Sequence, residues 1–266
     1  MPSSNVEFSS KPSHGRPYTA VFLDVGGTLI FPDPERMSKL FFDISGIAFP
    51  TETWLETIYK TTIDLDDAIK TEGSISTRWW SSYFERLLNY LPLENKKNAL
   101  KQSVVESFCD LLFKMHHAQN LWSFHADGAD NLLKTLLNMK YRLGIISNSD
   151  GRVHAQIKEA GWSDRFEFII DSHIVEMEKP DPAIFRLGLE KARLTPAEVL
   201  YVGDFVNIDK RGANAADMDC VIIDPLHRRP ELGEWRIDRL PDLIPWLKRR
   251  EKPTLLHSGK IEHAPH

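Results

Sequence analysis

The chain has 266 residues, 42% of them hydrophobic and 27% charged, with a formal charge of −5 at pH 7 and a pI near 6.1. That balance suits one large globular domain, or one domain carrying an insertion, and it offers no broad basic footprint for nucleic acid or an anionic membrane. The two cysteines, Cys109 and Cys220, lie among apolar residues, which argues against a disulfide framework.

Residues 1–17 are rich in Ser, Pro and Lys without periodicity and read as a flexible leader, with no basic-then-apolar signal segment. No apolar run is long enough to cross a bilayer, so the expected compartment is the cytoplasm. Val21, Phe22 and Leu23 are β-formers without alternation, the pattern of a strand buried on both faces of a parallel sheet. That strand ends at Asp24. Gly26 and Gly27 follow, permitting a sharp turn and close approach to a ligand, and then Thr28. Phe31-Pro32-Asp33-Pro34 is a turn-forming cluster.

From residue 32 to 125 the apolar spacing becomes helical. Leu40, Ile44 and Ile47 form one stripe, Leu55, Ile58 and Ile63 a second, Trp79, Trp80, Phe84, Leu87, Leu88 and Leu91 a third, and Val104, Val105, Phe108, Leu111, Leu112 and Met115 a fourth. The spacing predicts an insertion of four or five helices. Trp79-Trp80 reads as core or as the surface where two domains meet. Adjacent His116 and His117 would point about 100° apart on a helix, so they read as surface or hinge residues and not as a metal pair.

Beyond Asp127, helix and strand alternate. A helix is predicted over 129–139 and a strand over 141–146, with Ser147 and Asn148 leaving its end. A helix over 153–160 closes at Gly161, and a strand follows over 166–170. Lys179-Pro180-Asp181-Pro182 then introduces a helix through Arg193, with Asp181 placed as N-cap. The next strand, 199–202, ends in Gly203-Asp204. Asp209 opens a helix to Ala216, a fifth strand covers 220–223, and a last helix covers 240–249. Residues 251–266 read as a flexible tail. The expected class is α/β: a doubly wound parallel sheet, a Rossmann-like core of residues 18–31 and 126–250, with an inserted α-helical cap domain over 32–125.

In such a sheet the carboxyl ends of the strands share one edge, where ligands bind. Asp24, Thr28, Ser147, Asn148, Lys179, Asp204 and Asp209 all belong to strand ends or to the loops beside them. A carboxylate nucleophile, a hydroxyl donor, an ammonium and a second acidic cluster are the parts needed for phosphoryl transfer through an aspartyl phosphate. Asp24 and Asp204 supply hard oxygens suited to Mg²⁺. Lys179 can offset the gathering charge, and Ser147 can donate to a phosphate oxygen.

These residues resemble the motifs of the haloacid dehalogenase-like hydrolases, in particular members with a helical cap inserted after the first motif. Phe22 to Leu29 is similar to the first motif, Ile145 to Asn148 to the second, Lys179-Pro180 to the third, and Gly203-Asp204 with Asp209 to the fourth. The resemblance covers roughly residues 19–225. It implies Asp24 as nucleophile and Mg²⁺ ligand, the Gly26 carbonyl and Asp204 as further ligands, and Asp209 in support. It implies Ser147 and Lys179 as catalytic groups that hold the phosphoryl group, with Thr28 and Asn148 beside them, and a cap that closes over a small phosphorylated substrate. Neither nucleic acid nor membrane is expected as a partner, and the sequence leaves the oligomeric state open.

One position departs from the pattern. Most phosphatases of this kind carry a second aspartate two positions after the nucleophile, which protonates the leaving group, and here that residue is Gly26. Three readings follow: a Mg²⁺ phosphatase working without that acid; a 2-haloacid dehalogenase or a phosphonate hydrolase using a cap lysine (Lys39, Lys60 or Lys70); and a catalytically weak phosphate- or partner-binding protein. Asp33, Glu35 and His125 are the candidates for a substitute acid.

Overall fold

The computed structural model describes residues 17–72, 79–93 and 102–251, so the expected leader and tail, apart from Pro17 and Glu251, lie outside the described residues. Along the chain, β1 (Ala20–Leu23) leads into β2 (Ile30–Pro32). The helices α1 (Pro34–Ser45), α2 (Thr51–Glu72), α3 (Trp79–Asn89) and α4 (Gln102–Ala118) follow, and then β3 (Trp122–His125). The second half runs α5 (Ala129–Asn138), β4 (Arg142–Ser147), α6 (Val153–Glu159), β5 (Phe168–Asp171) and the short α7 (Ser172–Val175). It continues with α8 (Pro182–Ala192), β6 (Val199–Gly203), α9 (Arg211–Ala215), β7 (Asp219–Ile223), β8 (Arg236–Ile237) and α10 (Leu243–Lys248).

Six strands form one sheet in the order β5-β4-β1-β6-β7-β8, and every neighbouring pair is parallel. The chain leaves β1 outward through β4 and β5, then returns to its other side for β6, β7 and β8. The order therefore reverses at β1, and a crevice at the carboxyl ends follows from that reversal. Alternate side chains of β1 enter two different layers. Val21 and Leu23 pack with Leu133, Ile157 and Trp246, while Ala20 and Phe22 pack with Phe185, Leu189 and Ala213. Both faces are covered, which is why the strand is apolar without alternation.

The chain enters and leaves the cap through a two-stranded antiparallel ribbon, in which Ile30 pairs with His125, Phe31 with Phe124 and Pro32 with Trp122. This ribbon and the two-residue β8 were not legible in the sequence, because segments so short carry no period. Asp33 caps α1 by accepting the Glu35 and Arg36 N–H groups, and Asp181 caps α8 by accepting that of Ala183. The helix expected from Asp209 begins earlier, as a π-helical turn over Val206–Lys210. In the cap, the rings of Phe41, Trp54 and Phe108 meet at centroid distances of 5.6–6.1 Å and anchor the packing of α1, α2 and α4. The side chains of Trp79 and Trp80 lie outside the described residues. No described helix is long and apolar enough to cross a membrane.

Candidate active site

β1 makes its last ladder bond from the Asp24 N–H to the Val202 carbonyl, at 2.9 Å. The chain then turns tightly, with the Leu29 and Ile30 N–H groups both reaching the Val25 carbonyl at 2.9 Å. Gly27 adopts φ +77°, and a Cβ there would collide with the Asp204 carboxylate. A Cβ on Gly203 would collide with Asp209 in the same way. Each glycine thus lets a carboxylate lie directly against a backbone turn.

Lys179 is the hub of the site. Its buried ammonium lies 2.6 Å from Asp209 Oδ1, 3.0 Å from Asp24 Oδ1 and 3.0 Å from the Tyr201 hydroxyl. Three acceptors match its three protons. Tyr201 in turn donates to the Ile146 carbonyl at 2.8 Å. Asn148 holds the lysine backbone, accepting the Lys179 N–H at 2.8 Å and donating to its carbonyl at 2.9 Å. Asn148 was expected to touch phosphate. Instead, both polar ends of its side chain are committed to positioning Lys179.

Asp209 accepts the Asp204 and Phe205 N–H groups on Oδ2, at 3.1 and 3.0 Å, while Oδ1 takes Lys179. It therefore organises the turn that presents Asp204. Asp24 Oδ1 accepts the Val25 N–H at 2.7 Å, and the buried Ser147 stands beside its carboxylate. Asp24, Asp204 and Asp209 offer ligand oxygens within 4.8 Å of one another.

Burial, reinforced by Asp209 and opposed by Lys179, pushes the Asp24 carboxyl up to about 6. Burial and the neighbouring Asp209 and Asp24 charges push Asp204 well above the usual carboxylate range. Burial alone would lower Lys179, but Asp209 and Asp24 outweigh it and hold the ammonium protonated. Three carboxylates thus face one ammonium. Asp204 Oδ1 and Thr28 Oγ1 are buried with no hydrogen-bond partner among the described residues. A crowded set of hard oxygens with an orphaned carboxylate atom fits a divalent cation such as Mg²⁺, with Asp24 and Asp204 as the protein ligands nearest to hand.

Gly26, expected to offer its carbonyl, lies in the turn beside Asp24. Its backbone is not left-handed, and a Cβ there would meet only the indole of Trp122, 3.6 Å from Nε1 and 3.9 Å from Cδ1. From the cap, the phenols of Tyr59 and Tyr83 feel the Asp204 charge. Burial first, and then Asp204, pushes Tyr59 up to about 12 and Tyr83 further.

The candidate substitute acids are engaged elsewhere. Asp33 is a helix cap, Glu35 is exposed, and His125 is exposed with its ring beside Trp162. Of the three cap lysines considered, Lys39 pairs with Asp43, Lys60 pairs with Glu56, and Lys70 is exposed.

Two connections of cap to core were not anticipated. Asp66 of α2 is buried, and its carboxylate accepts the Val206 N–H at 3.2 Å and the Asn207 N–H at 2.7 Å, and pairs with Arg229 at 2.9 Å. His116 is buried as well, which corrects its reading as a surface or hinge residue. Its Nδ1 accepts the Leu121 N–H, so Nε2 carries the proton that meets Asp150 at 3.0 Å, two residues past Asn148. Both residues sit within amphipathic helices, where an acidic or imidazole side chain looks like an ordinary polar position.

Comparison with known proteins accords with this geometry. The description of haloacid dehalogenase-like hydrolases matches residues 18–217, and the chain belongs to that family. It is 28% identical over 188 residues to haloacid dehalogenase-like hydrolase domain-containing protein 3 of Homo sapiens, covering 68% of this chain and 72% of that protein. It is 29% identical over 132 residues to rhythmically expressed gene 2 protein of Drosophila melanogaster, 47% of this chain and 50% of that one. Among solved structures it superposes on the putative hydrolase YfnB of Bacillus subtilis bound to magnesium, with a TM-score of 0.57, 20% identity, and coverage of 86% of this chain and 98% of that one. A predicted phosphoglycolate phosphatase of Haemophilus somnus gives 0.55, 17%, 86% and 97%, and a 2-haloacid dehalogenase of Pseudomonas syringae gives 0.51, 22%, 87% and 99%. These structures share the fold of this chain. Their chemistries differ from one another.

Proposed function

We propose that this hydrolase is a Mg²⁺-dependent phosphatase acting on a small phosphorylated metabolite through an aspartyl phosphate on Asp24. The observation that carries the reading is the charge balance at the sheet edge: three carboxylates within 4.8 Å, one ammonium, and an unpartnered Asp204 oxygen. A dehalogenase needs no cation, and such a cluster would cost it stability without return. The phosphonate-hydrolase reading needs a lysine from the cap beside Asp24, whereas two of the three considered are engaged in ion pairs within α1 and α2 and the third is exposed.

Lys179 and the Val25 N–H fix Asp24 Oδ1, so Oδ2 is the oxygen for attack on phosphorus. The new Asp24–phosphorus bond forms as the bond to the leaving oxygen breaks, and that oxygen keeps the electron pair. Water then attacks phosphorus, the carboxylate leaves, and inorganic phosphate and a proton are released. Bound Mg²⁺ would neutralise the phosphoryl oxygens. Lys179 keeps Asp24 ionised, and Ser147 and Thr28 stand ready to donate to phosphoryl oxygens. The test is a screen of phosphorylated metabolites and an aryl phosphate, with Mg²⁺ and with chelator, alongside 2-chloropropionate and phosphonoacetaldehyde. Phosphate release that vanishes with chelator is expected. Chloride release that persists in chelator would place the protein with the dehalogenases.

A further inference from the structure

The segment that presents Asp204 is held from two sides. Consecutive backbone N–H groups, those of Asp204, Phe205, Val206 and Asn207, run from the end of β6 into the π-helical turn over Val206–Lys210. Asp209 of the core accepts the first two on Oδ2, at 3.1 and 3.0 Å. Asp66 of the cap accepts the next two, at 3.2 and 2.7 Å. The turn has no side-chain cap of its own. The residue at its capping position is Phe205, extended at φ −102° and ψ 126°, and a phenyl ring offers no acceptor. A carboxylate 140 residues earlier in the chain takes that place.

Asp66 is itself fixed there. It is buried, and Arg229 reaches its Oδ2 at 2.9 Å while donating to the Ile63 carbonyl, just before it on α2, at 3.1 Å. The Arg229 backbone N–H rests on buried Asp224 at 2.9 Å, and Asp224 pairs with Arg236 at 3.3 Å. Asn207 completes the contact by donating its side-chain amide to the Asp66 carbonyl at 2.8 Å. Pairing with Arg229 offsets the cost of burying the carboxylate, and both of its oxygens still serve the two N–H groups.

We propose that Asp66 is a positioning residue of the metal site: the cap supplies the N-terminal cap of the turn that presents Asp204, and that contact sets how tightly Mg²⁺ is held. This rests on the Mg²⁺ reading of the carboxylate cluster and not on the identity of the substrate. Asp66 acts through the backbone. With the N–H groups of residues 206 and 207 unpaired, the turn frays from its first residues. Asp204 then loses the fixed orientation that a small cation with strict octahedral geometry requires. Groups that orient a metal ligand typically carry about 10- to 100-fold in affinity, and Asp66 belongs at the lower end because it works through the chain.

The test is a calorimetric titration of the full chain with Mg²⁺. Asp66→Ala should raise the Kd about 10-fold. Asp66→Asn keeps the shape and one acceptor oxygen, should give a smaller rise, and serves if the alanine variant does not fold. Phe205→Ser supplies a local cap, since a serine hydroxyl there can accept the Asn207 N–H. Added to Asp66→Ala, it should recover most of the lost affinity, with Phe205→Ser alone as the reference because the ring packs against the cap. Asp150→Ala is the control. It removes the His116 contact, another tie of cap to core, and should leave the Kd within about twofold. A native Kd in Asp66→Ala overturns the proposal. So does an equal rise in Asp150→Ala, which would mark a general loosening of the cap. A rise that the serine leaves in place assigns the effect to the Asp66 charge, which is felt at Asp204, and overturns the capping role. Native protein that binds no Mg²⁺ removes the metal reading itself, a failure visible before any variant is made.

Discussion

Asp66 in the cap accepts the backbone N–H of Asn207 in the core at 2.7 Å, and Asn207 donates its own amide back to the Asp66 carbonyl at 2.8 Å. Asn207 lies in the π-helical turn that also contains Asp209. The cap is therefore tied to the same short segment that organises the carboxylate cluster.

Removing the latch should loosen the cap. Asp66→Ala strips two backbone N–H groups of their acceptor and leaves the Arg229 guanidinium with the exposed Asp67 carboxylate and the Ile63 carbonyl, so a loss of about 3 kcal/mol is expected in urea unfolding. Hydrogen exchange at residues 206–207 and in the β2–β3 ribbon should rise in the variant, and should fall in native protein given beryllium fluoride and Mg²⁺. Unchanged exchange in both experiments would mean that the cap does not move against the core.

The two adjacent glycines should respond differently to the same substitution. Gly26 has ordinary backbone angles and room for a methyl group, so Gly26→Ala should lie within about 0.5 kcal/mol of native. Gly27→Ala must hold an L-residue in the left-handed region, at about 1–2 kcal/mol, and must also displace Asp204. It should weaken Mg²⁺ binding measured by calorimetry, whereas Gly26→Ala should not. Equal effects of the two substitutions would contradict the geometry of this turn.

Asp24→Asn should remove turnover by a factor on the order of 10³ or more, because an amide is a poor nucleophile. The protein should stay folded, since Lys179 retains Asp209 and Tyr201. Residual hydrolysis at native rate in the purified variant would point to another nucleophile.

Mg²⁺ binding should depend on pH with a definite sign. The folded Asp24 carboxyl sits at about 6, above the roughly 4 of an unfolded aspartate, and Asp204 is displaced in the same direction. A raised folded value means that the metal-free fold loses stability as pH rises from about 4 through 6. Mg²⁺ offsets that loss by pairing with the ionised carboxylates, and its binding displaces their protons. The rise in Tm on adding Mg²⁺ over chelator should therefore be larger at pH 8 than at pH 5. The reverse ordering would exclude Asp24 and Asp204 as the ligands. Asp204→Asn should reduce the affinity at least about 10-fold.

Much of this was legible in one dimension. An apolar run ending in Asp24, and polar groups repeating at later strand ends, are local patterns. In a parallel sheet, strand ends share an edge whatever the loops between them do, so Asp24, Ser147, Lys179, Asp204 and Asp209 could be brought together on paper. The short ribbon strands, the Tyr201 hydroxyl beneath Lys179, and the use of Asn148 as a backbone clamp were not legible, because each depends on contacts between distant segments. The cap hid more than the core. Helical spacing says which face of a helix is apolar, but not which neighbour that face meets. Asp66 and His116 make their contacts with the core only when the cap helices pack and the ribbon sets them over the sheet edge. The sequence by itself determined the alternation of helices and principal strands in the core and the chemistry available at the strand ends, since both follow from local hydrophobic pattern and chain direction. Tertiary packing decided where each oxygen and proton points, because much of the side-chain orientation there is set by partners distant in the chain, as Lys179 is by Asp24, Tyr201 and Asp209.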